Sequence, residues 1–586
     1  MVSKISMLYN TSLEIIRTYG LGYFIRIAKM ELGRQKLNLF KNPTVDYYTE
    51  LETKIESQDE LYRRFVKNFN SEVTKNISQN KGNTLKIKPK FTIVILANQK
   101  NIQFINHTIE TIKEQIYNNY ETFLLSDSTL DNSYLDNKEN CEIRFGIEDI
   151  QKNSSGDFIC FIHSGDKIAE NTLFKITEFI NSETDSELVY TDHDFYDQNN
   201  IRIHPFFKPD WSPYLFQSVD YISAFFITKK EIFNQISFDD DLPDTLYTIS
   251  RKITEKTEKI AHIQIPLCSI SFERILNEKI TKNNTYSNIQ KKRLLDDAHS
   301  ITPPKLETNF VNEPLVSIII PTKNNYKILK RCINSIKSTT SYKNFEIIIV
   351  DNNSTDSETK KYFESLPCTV LTYEGHFNFS KMNNFAVKHA KGDFFLFLND
   401  DTKVLERNWL NSLVSSCNQD DVGAVGAKLI FKDGRIQHAG SVILDTGASF
   451  HPFQNIHVDS NLHFNFLNVT RECSAVTGAC LITKKEIFNK INGFDDDFDV
   501  YYGDTDLCVR ITNCGLYVLY VPDVILLHDG SHSIKTKMLE NTIEKAQGHF
   551  AVENYHRFIS KWPKLKNGDP YYNKNLGWDY SIKPIE

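Results

Sequence analysis

The chain has 586 residues, 40% of them hydrophobic and 12% aromatic. At roughly 100–200 residues per domain, that length predicts about three or four units with real cores, and 22 Gly and 17 Pro are too few for a fibrous or low-complexity chain. A formal net charge of -7 excludes a global basic surface, so nucleic acid is not an expected partner.

Residues 1–88 read as a helical region ending in a linker. Leu13–Met30 mixes apolar residues with Arg17, Arg26 and Lys29 at helix-like spacing. That suits a helix packed on the next domain, or one lying on an anionic membrane surface. No apolar run approaches the ~18–20 residues of a membrane span, and the N-terminus has no signal-peptide core. Tyr47–Phe69 repeats apolar positions at three- and four-residue steps, and the polar, basic stretch Ser78–Lys90 suits a linker.

Phe91–Leu96 (FTIVIL) reads as a short buried strand, and Leu315–Ile320 (LVSIII) is a second one. The stretch 301–314 between them, with Pro303, Pro304 and Pro314, reads as an interdomain linker. Each strand is followed by a helical pattern and another apolar strand, Phe123–Leu125 and Ile347–Val350, which implies an α/β fold with a mainly parallel sheet.

The two halves repeat one another. GDFICFIHSGDKI at 156–168 matches GDFFLFLNDDTKV at 392–404, and ITKKEIFN occurs at both 227–234 and 482–489. Phe238–Asp241 and Phe494–Asp497 each add Phe and three Asp. The expected organisation is two tandem α/β domains, 89–300 and 315–535, with helical extensions at 1–88 and 536–586. Ten cysteines are scattered with no CxxC pair, several in apolar runs such as Cys160. They read as reduced core thiols of a cytosolic protein rather than zinc ligands.

In the second copy three apolar strands end in polar residues: Pro321-Thr322-Lys323-Asn324, Asp351-Asn352-Asn353-Ser354 and Asn399-Asp400-Asp401. Such residues are ordinary turn formers. Three successive ends of this kind point to the ligand crevice at the carboxyl edge of an open α/β sheet. Carboxylates there offer hard oxygens to Mg²⁺ or Mn²⁺, which offset charge on a departing diphosphate. Asp504 and Asp506 open a later helical pattern: Asp506 suits a helix cap, and Asp504 suits a general base or plain surface acidity. His528, after an apolar strand, suits a metal or phosphate ligand or a structural place.

Taken in order, VSIIIPTKNN, EIIIVDNNSTD, FNFSKMNNFAVKHAKGDFFLFLNDDT, VGAVGAKLIFKDGRIQHAG, SAVTGACLITKKEIFNKINGFDDDF, YYGDTDLCVRI and LLHDGSHS resemble inverting glycosyltransferases of family 2, which have the Rossmann-like GT-A fold. DPYYNKNL at 569–576 is similar too. The likeness is greatest to bacterial enzymes of O-antigen and surface-polysaccharide synthesis, rhamnosyltransferases included. The resemblance implies that Pro321, Thr322, Asn324, Asp351, Asn384 and Asp400 serve the nucleotide sugar, that Asp401 and His528 hold a divalent metal, and that Asp504 is the base. It implies a dTDP-, UDP- or GDP-sugar donor, a glycan or lipid-linked glycan acceptor, and a cytoplasmic setting with peripheral contact at the inner membrane face. Asn399 stands where the family usually has Asp, and Gly503 where many relatives have Glu or Asn.

The first copy also resembles the family, in VYTDHD at 189–194 and FKPDWS at 207–212, but its chemistry looks eroded. His163, Ser164 and Gly165 face Asn399, Asp400 and Asp401 in the alignment, Asp166 falls one place late, and DTLYTISR at 244–251 replaces GDTDLCVR. It is expected to be non-catalytic, with a part in acceptor binding or docking. A bifunctional enzyme and a glycan- or protein-binding pseudoenzyme are the rivals. A dinucleotide oxidoreductase is disfavoured, since no GxGxxG follows either first strand.

Overall fold

A computed structural model describes residues 58–69, 85–126, 141–183, 185–237, 246–278, 294–295, 297–301, 313–460, 463–528, 543–577 and 580–583. The helix expected at Leu13–Met30, residues 78–84 of the linker expected at Ser78–Lys90, residues 302–312 of the linker expected at 301–314, Phe238–Asp241, Asp244 and 529–533 lie outside these residues.

Two compact units hold one copy each. In the first copy the sheet runs, edge to edge, through Glu142–Arg144, Tyr120–Leu125, Phe91–Leu96, Phe158–His163, Phe225–Lys229, Leu188–Tyr196, Ile260–Ser271 and Lys167–Ile168. In the second it runs through Thr369–Thr372, Phe345–Asp351, Val316–Thr322, Phe394–Leu398, Cys480–Lys484, Val422–Ile430, Tyr517–His528 and Thr402–Val404. The order is the same strand for strand, as the internal repeat implies. Both sheets are mixed: the first four strands are parallel, and the strand of each ITKK repeat runs antiparallel to its neighbours.

The shared Gly-Asp pair before Phe158 and Phe394 has a structural cause. A Cβ on Gly156 would lie 2.5 Å from the Thr92 nitrogen, and one on Gly392 would lie 2.6 Å from the Ser317 nitrogen. The following Asp157 and Asp393 accept the backbone N–H groups of Lys90 and Leu315, at 2.7 and 2.9 Å, and so pin the start of each first strand. Strands such as Ile159–Ile162 and Phe395–Leu398 have no exposed surface, so their apolar runs form the floor of each sheet.

The domain edges differ from the expected ones. The second copy's unit reaches Tyr571, because the helix Ile543–Lys561 belongs to it: Phe558 is buried against Ile443, Phe498 and Val509. The first copy's unit takes in Asn461–Asn465 and Tyr572–Glu586. Phe464 stacks on Phe206 with ring centroids 3.6 Å apart, and the Asn573 amide donates to Asp192 at 3.0–3.1 Å. A cut at residue 300 would therefore leave the first copy without part of its own packing.

Eight of the ten cysteines are buried; Cys368 is intermediate and Cys514 exposed. No helix among the described residues is long and apolar enough to cross a membrane.

Candidate active site

The three polar strand ends of the second copy lie side by side, since Val316–Thr322 pairs with both Phe345–Asp351 and Phe394–Leu398 in parallel. Pro321 is buried within its strand opposite Val350, and Thr322 lies opposite Asp351. The Thr322 hydroxyl donates to Asp400 Oδ2 at 2.6 Å, which ties the first strand end to the acidic one. Asp351 is buried, and its Oδ1 accepts from the Ser354 N–H at 2.9 Å and from the Ser354 hydroxyl.

Two expected pocket residues turn out to hold loops. Asn324 adopts φ +51°, a region that Asn tolerates better than most residues. Its Oδ1 accepts the N–H groups of Thr355 and Asp356 at 2.7 and 3.0 Å, and its own N–H donates to Ser354 Oγ at 2.9 Å. Asn384, on the helix Phe379–Val387, donates to the Phe494 carbonyl and to Asp496, both at 2.8 Å, and accepts the Phe494 N–H at 2.9 Å. Both amides are thus occupied in fixing the walls of the crevice.

At the acidic end, Thr402 pairs with His528 across the last two strands, which brings His528 to Asp401. His528 Nε2 lies 2.9 Å from Asp401 Oδ1 and 3.3 Å from Asn399 Nδ2, and its Nδ1 bonds Gln437 Oε1. Asn399 therefore keeps a polar role in place of the family's Asp. Burial, and then the charge of Asp401, push the Asp400 carboxyl up to about 6. Asp401 is buried and Asp400 half-buried, and among the described residues no Lys or Arg forms a salt bridge with either, so the pair holds surplus negative charge; with an imidazole beside them, their oxygens are donors of the kind that suits Mg²⁺ or Mn²⁺. Three protein ligands do not already converge on one point among the described residues, so the further ligands of such an ion would be water and phosphate oxygens.

Asp504 and Asp506 separate cleanly. Both sit in the first turn of the helix Gly503–Thr512. Asp506 is fully buried, with Arg510 Nε at 2.8 Å, Trp562 Nε1 at 2.9 Å and Lys561 Nζ at 2.7 Å, so it anchors the C-terminal helix. Asp504 is partly exposed, and it accepts the N–H groups of Gly478 at 2.9 Å and Thr505 at 2.8 Å. The glycine at 503 also has a reason: a Cβ there would lie 2.8 Å from Ser380 Oγ. The segment 477–479 joins this carboxylate to the acidic strand end, since the Ala479 carbonyl accepts the Asn399 N–H at 3.1 Å.

Two histidines escaped the sequence reading. His438 and His451 meet at 2.8 Å through their Nδ1 atoms, and Thr477 donates to His438 Nε2 at 3.4 Å. Only the QHAG context of His438 marked it, and nothing local marked His451.

In the first copy, Asp166 is fully buried in a bidentate pair with Arg274: Nε donates to Oδ1 at 2.9 Å and NH2 to Oδ2 at 2.8 Å. The Ser271 N–H adds a third bond at 3.0 Å. By the register of the paired strands, Ile270 stands at the place of His528, and Ser271 is the residue after it. One residue past the paired register of the first strands, Ala97 and Ser126 occupy the places of Thr322 and Asp351.

The description "Glycosyl transferase family 2" matches residues 317–490. An O-antigen biosynthesis protein, RfbC, of Myxococcus xanthus is 30% identical over 83% of this chain and 40% of its own length. An uncharacterized protein of Sinorhizobium fredii is 28% identical over 83% of this chain and 58% of its own. The chain thus spans about half the length of these curated relatives. A dTDP-rhamnosyl transferase, RfbF, of Shigella flexneri is 22% identical over 42% of this chain and 78% of its own. Among solved structures, a mannosyltransferase of Pyrobaculum calidifontis in complex with GDP-Man and Mn²⁺ is 20% identical, with a TM-score of 0.29 over 38% of this chain and 59% of that one. The second α/β copy therefore carries a family 2 glycosyl transferase domain, over residues 317–490.

Proposed function

We propose that the second copy transfers a sugar from a nucleoside-diphosphate donor to a glycan acceptor, with inversion, in the synthesis of a bacterial surface polysaccharide of O-antigen type. The observation that carries this reading is the junction of two carboxylate sites through one backbone segment: Asp504 on the Gly478 N–H, and the Asn399–Asp401 strand end on the Ala479 carbonyl.

An acceptor hydroxyl oxygen attacks the anomeric carbon while its proton passes to Asp504. The bond from that carbon to the diphosphate oxygen breaks, and its electron pair leaves with the nucleoside diphosphate. Two backbone donors hold Asp504 in place, and its partial exposure lets a hydroxyl reach it. Asp401 and His528, with Asp400 beside them, would hold a Mg²⁺ or Mn²⁺ ion, which supplies positive charge to the leaving diphosphate when bound. Thr322 and Asp351 line the nucleotide side. The donor is a dTDP-, UDP- or GDP-sugar, and the acceptor a glycan or lipid-linked glycan met at the inner face of the cell membrane.

The first copy does no chemistry in this reading, because Arg274 already fills the cationic role beside its remaining strand-end carboxylate. It serves acceptor binding or docking. Release of nucleoside diphosphate from a panel of sugar nucleotides tests the whole reading. Release is expected with one donor class, to vanish in EDTA and to return with Mn²⁺ or Mg²⁺. Undiminished turnover in EDTA would remove the metal role, and no release from any donor would remove the transferase reading.

A further inference from the structure

Buried His438 and half-buried His451 form a relay whose first ring and Asp504 are held by consecutive residues, Thr477 on His438 and Gly478 on Asp504. Two backbone N–H groups converge on His438 Nε2, Gly440 at 3.3 Å and Thr477 at 3.4 Å. Both can only donate, so this nitrogen presents its lone pair and the ring's proton sits on Nδ1. That Nδ1–H donates to His451 Nδ1 at 2.8 Å. His451 Nδ1 must therefore accept, and Ser441 Oγ, 3.1 Å away, can only reinforce that role as a donor. The proton of neutral His451 is left on Nε2, which makes no hydrogen bond to a described residue.

A cationic His451 would turn an N–H against an N–H across 2.8 Å. Burial also disfavours the charge, lowering the pKa of both rings, and Asp504 only partly opposes this at His451. His451 directly follows the hairpin strand Ser449–Phe450, and Asp504 lies in the first turn of the helix Gly503–Thr512. The hairpin that carries it approaches the same helix, with Ser449 Oγ 3.5 Å from Thr505 Oγ1. Beside a carboxylate that takes a proton, a neutral donor leaves basicity intact where a cation would lower it. One acceptor and one neutral N–H, carried by two segments that meet at Ser449 and Thr505, suit two neighbouring oxygens of a sugar.

We propose that His451 binds the acceptor sugar, its Nε2–H donating to an oxygen adjacent to the hydroxyl that Asp504 deprotonates, and that His438 is the positioning residue that fixes this tautomer. The inference rests on Asp504 being the base.

Two measurements on the full chain test it. In the first, ¹⁵N spectra of histidine-labelled protein show His451 protonated at Nε2 and His438 at Nδ1; the opposite tautomers overturn the proposal. In the second, UDP-, GDP- and dTDP-sugars are offered with p-nitrophenyl glycosides as acceptors, and donor hydrolysis is followed without them. His451→Ala raises the acceptor KM about tenfold, the size of one lost hydrogen bond, with hydrolysis unchanged. His451→Gln, whose amide N–H reaches the place of Nε2, restores most of the loss, and His438→Asn, which keeps a donor toward His451, stays near wild type. An unchanged acceptor KM in His451→Ala, or equal losses of transfer and hydrolysis, overturns the proposal. A wild-type chain that hydrolyses no sugar nucleotide fails the transferase reading instead, and the ¹⁵N spectra still decide the tautomers.

Discussion

Two copies of one sheet, strand for strand alike, treat the same strand end in opposite ways. In the second, Asp400 and Asp401 lie side by side, with His528 as their neighbour and, among the described residues, no Lys or Arg in a salt bridge with either. In the first, Ser164 and Gly165 stand in their places, and the displaced Asp166 is closed off by Arg274. One end is left with negative charge to share, and the other is neutralised from within. The fold tolerates both because the buried strands below do not depend on the polar ends. What the duplication preserved is the scaffold; the chemistry can stay in one copy and lapse in the other.

The largest effect that would sharpen this contrast concerns Asp504. Asp504→Asn should lower kcat by about 10²–10⁴-fold, the usual range for a general base, while donor affinity holds. Single-turnover kinetics with donor-binding titration check it, and a near-normal kcat would remove Asp504 as the base. Asp506 could not simply replace it, since Arg510, Lys561 and Trp562 already surround it.

Next comes the closed pair of the first copy. Asp166→Ala removes the bidentate carboxylate partner of buried Arg274, which should cost about 3–5 kcal/mol. Replacing both partners, Asp166→Leu with Arg274→Met, should be far milder, because no charge is then stranded. Urea unfolding of the full chain compares them. Equal destabilisation by the single and double variants would mean that the pair is not what the first copy relies on.

The repeat, the α/β class and the polar strand ends were all legible in the sequence, because apolar runs bounded by Gly-Asp and Asn-Asp turns are local signals. The partner of Asp166 was not: Arg274 lies 108 residues away and meets it only through the pairing of Lys167–Ile168 with Ile260–Ser271. The same reason hid His451, whose neighbours come from the 438–441 segment and the helix Gly503–Thr512. The hydrogen bonds of Asn324 and Asn384 to neighbouring loops were equally hidden, because turn residues and binding residues are the same types and the partners of Asn384 lie about 110 residues away. Only their hydrogen bonds distinguish the two parts.

The smallest expected effect is in pH dependence. Asp400 is held up at about 6, first by burial and then by Asp401. Without metal, the folded chain keeps a proton there that the unfolded chain releases above its usual value of about 3.9. This group's contribution is therefore full below about pH 4 and is lost as pH rises through 6. Tm measured in EDTA from pH 4 to 7 should fall less steeply in Asp400→Asn than in wild type. Parallel profiles would show that Asp400 is not strained in this way, and Ser164 gives the first copy no counterpart.

The central claim is that transfer depends on the open acidic end alone. Nucleoside-diphosphate release, measured side by side in Asp401→Ala and in the Asp166→Leu, Arg274→Met double variant, tests it most directly. The account predicts a loss of about 10²–10³-fold or more in the first, as for removal of a main electrostatic stabiliser, and turnover close to wild type in the second. Wild-type release by Asp401→Ala, or loss of one of two distinct sugar transfers in the double variant, would contradict it.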